Sequence, residues 1–289
     1  LNQNTFFWSR IISTKSMPLV TLTTDFGIKD HYIGALKGAM MAAVEGIQIV
    51  DISHHIQPYH IAECAYVLKN AYHHFPKGTI HIVGVDTQWT EDNRHILVLV
   101  DGHYFITANN GVIALITQEI TPEQVFEINM PQMERNTFPT LYVFAPVATH
   151  LARGGKPELI GKPFTGLKER AEFKARVSDD GNILYGHVMY IDNYGNAITN
   201  ISKPFFEACR KNRSFEIAAR SARTSRISQG YEDIGTQESN LRTGGHLVCL
   251  FNTAQCLEIA IAQGSAQNGG ASSLLGLQYR DQITVQFFN

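Results

Sequence analysis

The chain has 289 residues, of which 44% are hydrophobic and 17% charged, and its net charge is −2. This composition is that of an ordinary globular protein, and the length is enough for two domains. The near-neutral charge gives no electrostatic basis for binding nucleic acid or an anionic membrane surface, and no apolar run reaches the ~18 residues that cross a bilayer. We therefore predict a protein with neither nucleic acid nor membrane as a partner.

Two further features bear on location. None of the four cysteines has the spacing of a zinc site or a redox motif, so buried free thiols and a cytoplasmic location are predicted. Residues 1–16 precede Met17 and lack a basic start followed by an apolar stretch, so we predict an extension or an expression remnant and no signal peptide. The cysteines are Cys64, Cys209, Cys249 and Cys256.

The first half of the sequence alternates strand and helix patterns. Strands are predicted at 19–24, 47–52 and 79–85, and helices at 30–44, 61–73 and 143–151. A hairpin pairing 96–100 with 104–107 is predicted around Asp101-Gly102, because Asp-Gly favours a tight primed turn. The alternation predicts an α/β domain over 17–160, with a mostly parallel sheet flanked by helices.

The pattern changes after a linker at 155–166, which is rich in Gly, Pro and Lys. Short strands at close spacing follow, and they predict an all-β barrel domain over 168–289. Residues 264–276, rich in Gly, Ser and Ala, are predicted as a loop. The predicted strands are 173–177, 183–191, 197–201, 215–219, 246–251, 257–261 and 283–288.

The most informative stretch is Thr23-Thr24-Asp25-Phe26-Gly27, with Asp30 three residues later. It follows the first strand, and ligands of open α/β sheets bind at the carboxyl ends of strands. Two acids there suit a ligand rich in hydroxyls or amines, or a metal. The alternative is that Asp30 caps the helix that begins at His31. Asp86 ends the third strand and could face the same crevice.

A second polar turn lies at residues 190–200 in the β-rich half. Tyr194 can stack on a flat heterocycle, Asn196 can pair with the edge of adenine, and Asp192 can hold an ammonium group. The alternative is a hairpin loop whose Asn and Gly residues only meet turn geometry. Another turn, at Asn252-Thr253, could present donors to a carboxylate.

The histidines do not predict a metal site. His73 and His74 are neighbours on a predicted helix and point in different directions, and no His-Glu-x-x-His string occurs. A metal-dependent phosphohydrolase using Asp25, Asp30, Asp86 and histidines remains an alternative, and loss of activity with a chelator would favour it.

Several strings occur in an order that resembles the S-adenosyl-methionine hydroxide adenosyltransferase family, which is related to the adenosyl halogenases. The resemblance extends over residues 17–289. Besides the Asp25 stretch, the matching strings are Lys37-Gly38, Ile49-Val50-Asp51-Ile52-Ser53-His54, Phe75-Pro76-Lys77-Gly78-Thr79, Asn109-Asn110-Gly111, Phe144-Ala145-Pro146-Val147-Ala148, Tyr190–Asn200 and Leu257-Glu258-Ile259-Ala260.

The resemblance implies an α/β domain, a C-terminal β-barrel and a homotrimer that binds S-adenosyl-methionine between subunits. It implies that Asp25 grips the ribose diol, that Asp30 and Asp192 hold the ammonium group, and that no cofactor is needed. Tyr194 would stack on adenine and Asn196 would read its edge. The remaining substrate-binding positions it implies are Phe26, Tyr59, Trp89, Phe138, Tyr231 and Thr253.

The reaction implied is attack of water on the ribose 5′ carbon, which gives adenosine and methionine. The family uses an Asp–Arg–His triad, and Asp86 stands at the aspartate position. Ungapped counting puts Asn93 at the arginine, with Arg94 next to it, and Pro139 replaces the histidine. The predicted catalytic residues are Asp86, Arg94 and Thr140. The alternatives are a catalytically silent binder of the same ligand and a halogenase-like enzyme.

Overall fold

The computed structural model describes residues 17–117, 120–130, 136–170, 173–233, 245–267 and 269–288. The proposed N-terminal extension at 1–16 lies outside these residues. The chain forms two compact units that divide between Glu169 and Arg170. No helix among the described residues combines the length and apolar character needed to cross a membrane.

The first unit is an α/β domain built on a seven-stranded mixed sheet, as the alternating sequence pattern predicts. Its strand order is β2-β1-β3-β5-β4-β6-β7, and the first four strands of that order run parallel. The strands are β1 (Leu19–Thr24), β2 (Gln48–Ser53), β3 (Ile80–Gly84), β4 (His95–Val100), β5 (His103–Ala108), β6 (Gln124–Ile128) and β7 (Gly161–Pro163).

Helices cover both faces of this sheet, in agreement with the buried, mostly apolar sequences of its central strands β3 and β4. One core contains α1 and α4 side chains such as Leu36 and Val147, and a second contains α2 and α3 side chains such as Leu68 and Ile113. The helices are α1 (Tyr32–Ala43), α2 (Ile61–Tyr72), α3 (Val112–Ile116) and α4 (Ala145–Ala152), the last preceded by a π-helical turn (Thr140–Phe144).

The second unit is an antiparallel β domain that nearly closes on itself, in agreement with the predicted barrel. Its order is β12-β11-β15-β9-β10-β14-β13, with β8 paired to β9 and the end strands β12 and β13 adjacent. The strands are β8 (Arg176–Val177), β9 (Ile183–Ile191), β10 (Ala197–Ser202), β11 (Ser214–Ala219), β12 (Ala222–Thr224), β13 (Leu247–Phe251), β14 (Cys256–Ile261) and β15 (Gln282–Phe288).

Short elements account for the differences from the sequence prediction. The segment predicted as a linker contains a 3₁₀ turn (Pro157–Leu159) and β7, and the predicted loop at 264–276 contains α6 (Ala271–Leu274). Helix α5 (Lys203–Arg210) was not predicted, although Ser202 caps it through a hydrogen bond to the Phe205 N–H. The strand predicted at 173–177 is shortened to β8.

A buried histidine pair lies under α2 in the first unit. His81 on β3 and His103 on β5 are almost fully buried, and their facing ring nitrogens are 3.2 Å apart. The other ring nitrogen of His81 lies 2.6 Å from the Thr21 hydroxyl. Burial lowers the pKa of His81 to about 3, with the neighbouring His103 adding to the effect, and burial also lowers the pKa of His103. Both rings are therefore neutral in the folded protein at neutral pH.

This pair predicts that stability falls in mild acid. The unfolded chain binds a proton at His81 below about pH 6.5 while the folded chain does not, so His81 costs up to about 1.4 kcal/mol per pH unit, and the lowered pKa of His103 adds to this loss. We expect the free energy of unfolding, measured in urea, to fall steadily from pH 6.5 to 5. His81→Gln should reduce the slope, whereas His74→Gln, at an exposed histidine, should not. Equal slopes in all three proteins would contradict this account.

Candidate active site

Asp25 directly follows β1, and two backbone N–H groups hold its carboxylate. The Tyr59 N–H donates at 3.0 Å, and the Asp86 N–H also favours the charged carboxylate. Both donor residues have left-handed backbone conformations, with φ of 65° for Tyr59 and 49° for Asp86. Non-glycine residues rarely adopt this conformation, and it clusters at functional sites. The structure thus brings Asp25, Tyr59 and Asp86 together at the carboxyl end of the parallel strands.

The Asp25 carboxylate is half-buried, and its protonation reflects this. Burial raises its pKa above the ordinary value and the nearby charge of Asp86 adds to the rise, while the backbone N–H groups of Tyr59, Asp25 itself and Asp86 oppose it. Because the donors and the burial fix the carboxylate in one orientation, its remaining lone pairs can accept hydrogen bonds from ligand hydroxyls.

Two asparagines fix the loop that carries Asp86. The Asn93 side chain donates to the Asp86 carbonyl at 3.0 Å and to the Gln88 carbonyl at 2.9 Å, and the Asn110 side chain donates to the Val85 carbonyl at 2.9 Å. Asn93, predicted to stand at the arginine position by ungapped counting, therefore shapes this loop through hydrogen bonds to the loop's backbone carbonyls. This role of Asn93 was not predicted from the sequence, whereas Asn110 belongs to the string Asn109-Asn110-Gly111 quoted above.

Arg94, predicted to be catalytic, and Trp89, predicted to bind substrate, have other contacts here. The Arg94 guanidinium donates to the Glu127 carboxylate at 2.9 Å and to the Glu91 carbonyl at 3.1 Å. Trp89 is half-buried and packs against the core that α1 and α4 share. The Arg94 charge is thus already balanced by Glu127 on β6.

Thr140 begins the π-helical turn and is completely buried, with no hydrogen-bond partner for its hydroxyl among the described residues. Single π-helical turns are frequent at functional sites. A Cβ built on Gly84 would lie 3.3 Å from the Thr140 hydroxyl and 2.9 Å from the Thr24 methyl. The Thr140 hydroxyl therefore lies beside Gly84, which ends β3 and comes two residues before Asp86.

Aromatic side chains line the same end of the unit. The Phe26 and Phe138 rings pack edge to face at 5.6 Å, and both contact Tyr32. Asp30 is exposed and does not cap α1, because the N-cap residue is His31 and no side chain caps that end. The capping alternative for Asp30 is therefore wrong, and its carboxylate faces solvent.

In the second unit, Asp192 organises its own turn. Its carboxylate accepts the Tyr194 and Asn196 N–H groups, both at 2.8 Å, and the Asn196 side-chain amide at 3.0 Å. Gly195 has φ of 78°, and a Cβ there would lie 2.8 Å from the Ser272 hydroxyl. These hydrogen bonds fix the conformation of the loop, and Tyr194 is 64% exposed.

Glu258 contacts Tyr231, a predicted ligand position, and Asn252, the residue before the predicted position Thr253. It is buried and accepts the Tyr231 hydroxyl at 2.7 Å and the Asn252 side-chain amide at 3.1 Å. The Asn252 side chain also accepts the Ala254 and Cys256 N–H groups, which shapes the turn that exposes Thr253. Glu258 was noted from the sequence only as part of the string Leu257-Glu258-Ile259-Ala260.

The described residues contain no group of three or more side chains arranged to hold a metal ion.

Models of two domains match the sequence: the SAM hydroxide adenosyltransferase N-terminal domain over residues 20–161 and the C-terminal domain over residues 186–284. The chain belongs to the SAM hydroxide adenosyltransferase family, and the resemblance predicted from its motifs is confirmed.

Individual relatives agree with this assignment. The chain is 27% identical over 278 residues to the (R)-S-adenosyl-L-methionine hydrolase of Methanocaldococcus jannaschii, covering 93% of this chain and 96% of that one. It is 25% identical over 224 residues to a fluorinase of Actinopolyspora mzabensis, covering 67% and 74% respectively. Among solved structures, an uncharacterized conserved protein from Thermotoga maritima matches with a TM-score of 0.78 at 25% identity, covering 93% and 99%.

Proposed function

We propose that this protein hydrolyses S-adenosyl-methionine by attack of water on the ribose 5′ carbon, producing adenosine and L-methionine. Membership of the family and the names of its hydrolase relatives support the activity. The observation that carries the proposal is the oriented, half-buried Asp25 carboxylate, with Asp86 and the unpartnered Thr140 hydroxyl at the same end of the sheet. Asp25 binds the ribose diol, and Tyr59, Phe26 and Phe138 enclose the sugar.

The chemistry fits the groups available. The C5′–S bond breaks with its electron pair going to sulfur, so methionine leaves as a neutral thioether and no general acid is required. A C5′–O bond forms to water, which must lose a proton and is a weak nucleophile when free in solution. Asp86 orients this water and accepts its proton, and the Thr140 hydroxyl provides a second hydrogen bond in a dry site.

The proposal extends to the methionine and adenine ends of the substrate. Asp30 and Asp192 hold the ammonium group, Thr253 contacts the carboxylate, Tyr194 stacks on adenine, Asn196 contacts its edge, and Tyr231 closes that slot. Arg94 and Trp89 complete the proposed site.

The proposed substrate-binding residues belong to both units, and we propose that a homotrimer assembles the sites at subunit interfaces. We also propose that no cofactor is required and that the protein is cytoplasmic, where its four free thiols stay reduced.

Chromatography of reaction mixtures tests the proposed function. Both sulfonium epimers of S-adenosyl-methionine are supplied separately, because the relatives are named for the (R) form. We expect equal amounts of adenosine and methionine, without any dependence on chloride or fluoride. A halogenated adenosine would favour the halogenase alternative, and unconverted ligand that still binds in calorimetry would favour a silent binder.

Thr140→Val tests the role of the unpartnered hydroxyl. Valine keeps the shape of threonine, so we expect turnover to fall about 100-fold, as for other lost transition-state donors, with little change in KM. Removing a buried hydroxyl that lacks a partner should not lower the melting temperature. Thr149→Val on α4 is the matched control, because that hydroxyl donates to the Pro146 carbonyl within the helix. Equal turnover in the two variants would contradict the role given to Thr140.

A further inference from the structure

A chain of polar contacts runs from the surface of the first unit to the turn that carries Asp25. Lys37 on α1 pairs with Asp51 on β2, with Nζ and Oδ2 2.5 Å apart. The other Asp51 oxygen lies 3.0 Å from His54 Nε2, and His54 Nδ1 lies 2.8 Å from the Thr24 hydroxyl. The last contact is buried, since Thr24 is fully buried and His54 is 5% exposed.

His54 contacts this turn at two points. Besides the Thr24 hydroxyl, its own carbonyl accepts the Gly27 N–H at 2.7 Å, so one residue holds both ends of residues 24–27. A β-bulge makes this possible: Leu22 pairs with Asp51, but Thr23 pairs with Ser53, so β2 has one extra residue there. Bulges are common next to functional sites because they redirect side chains.

The Asp51 carboxylate determines which nitrogen of His54 carries the proton. An ionised carboxylate cannot donate, and its charge 3.0 Å from Nε2 favours the proton on that nitrogen, although the N–H is not aligned as a full hydrogen bond; Nδ1 is then left to accept from Thr24. Burial lowers the pKa of His54, which keeps the ring neutral. Burial raises the pKa of Asp51, but the Lys37 and His54 contacts outweigh it and lower that pKa overall.

We propose that His54 is a positioning residue for the substrate-binding turn, and that Asp51 and Lys37 act through it by fixing its tautomer. In this arrangement the Thr24 hydroxyl donates to His54, which aligns the turn so that the Asp25 carboxylate meets the ribose. This inference rests on the proposed function in that Asp25 is the ribose ligand. The residues involved are not those of the family triad. Through the contacts of Lys37, Asp51 and His54, two of the strings that carry the family resemblance are joined to the turn that contains Asp25.

Asp51→Asn separates this role from simple packing. Asp51 is 38% exposed and Lys37 30% exposed, and such surface pairs contribute little to stability. An amide can accept or donate, so it no longer selects the tautomer. We expect adenosine affinity, measured by calorimetry, to fall about tenfold, the value of one hydrogen bond. The melting temperature should stay the same, and ¹⁵N spectra of labelled histidine should show that the His54 proton is no longer confined to Nε2.

The matched control is Asp101→Asn, which alters another exposed Lys–Asp pair of the same unit and should leave adenosine affinity unchanged. Thr24→Val completes the test, because it removes the final link of the chain. If the chain acts as proposed, Thr24→Val, Asp51→Asn and the double variant all weaken binding by the same factor.

Each result distinguishes the two claims. Wild-type affinity in Asp51→Asn, or additive losses in the double variant, would overturn the positioning role while leaving the proposed function intact. Absence of adenosine binding by the unaltered protein would overturn both.

Discussion

Asp25→Ala is expected to abolish binding of S-adenosyl-methionine and of adenosine. In the proposed complex the Asp25 carboxylate accepts hydrogen bonds from both ribose hydroxyls. The variant loses these two charged hydrogen bonds, each worth about 1.5–3 kcal/mol, so affinity should fall at least about 100-fold. Calorimetry with adenosine measures this without turnover. Unchanged affinity would remove Asp25 from the ligand site.

Two controls show that this loss comes from the ligand contact. The pKa of Asp25 is raised in the folded protein, so its charged form disfavours the folded state at neutral pH. The neutral Asp25→Asn variant should therefore melt no lower than the unaltered protein. Asp30→Asn should weaken binding of S-adenosyl-methionine but leave adenosine affinity unchanged, since adenosine has no ammonium group.

Asp86→Asn is expected to lower turnover by about 10²- to 10⁴-fold, the usual contribution of a positioned general base. Affinity for adenosine should change little. The backbone N–H of residue 86 still holds Asp25, and asparagine tolerates the left-handed conformation that this position requires. Steady-state kinetics and calorimetry on the same preparation separate the two quantities.

Asp92→Asn provides the comparison for this variant, because Asp92 is an exposed acid in the same loop. It should turn over at the rate of the unaltered protein. If Asp86→Asn is equally active, Asp86 has no part in activating the nucleophile, and the catalytic part of the proposal fails.

Local rules predicted most of the fold. Strand–helix alternation identified the first sheet, and the primed turn at Asp101-Gly102 was placed correctly, with both residues at positive φ. The short elements β6, β7, α3 and α6 were missed because their sequences are too short for a periodic pattern. Helix α5 had a readable signal, since Ser202 and Pro204 are typical of a helix start.

The candidate site was less accessible to sequence reasoning. Asp25 and Asp86 could be identified because each ends a predicted strand. The contacts around them depend on features that no local pattern reveals: the left-handed conformation of Tyr59, the bulge in β2, and the π-helical turn that buries Thr140. The Lys37–Asp51–His54–Thr24 chain likewise joins residues that come together only through the parallel pairing of β1 and β2.

The most direct test of the central claim is the reaction of S-adenosyl-methionine in water enriched with ¹⁸O, analysed by mass spectrometry. Attack of water on the ribose 5′ carbon predicts adenosine that carries one ¹⁸O at its 5′ hydroxyl, together with unlabelled methionine. Adenosine without the label, or no adenosine from either sulfonium epimer, would contradict it.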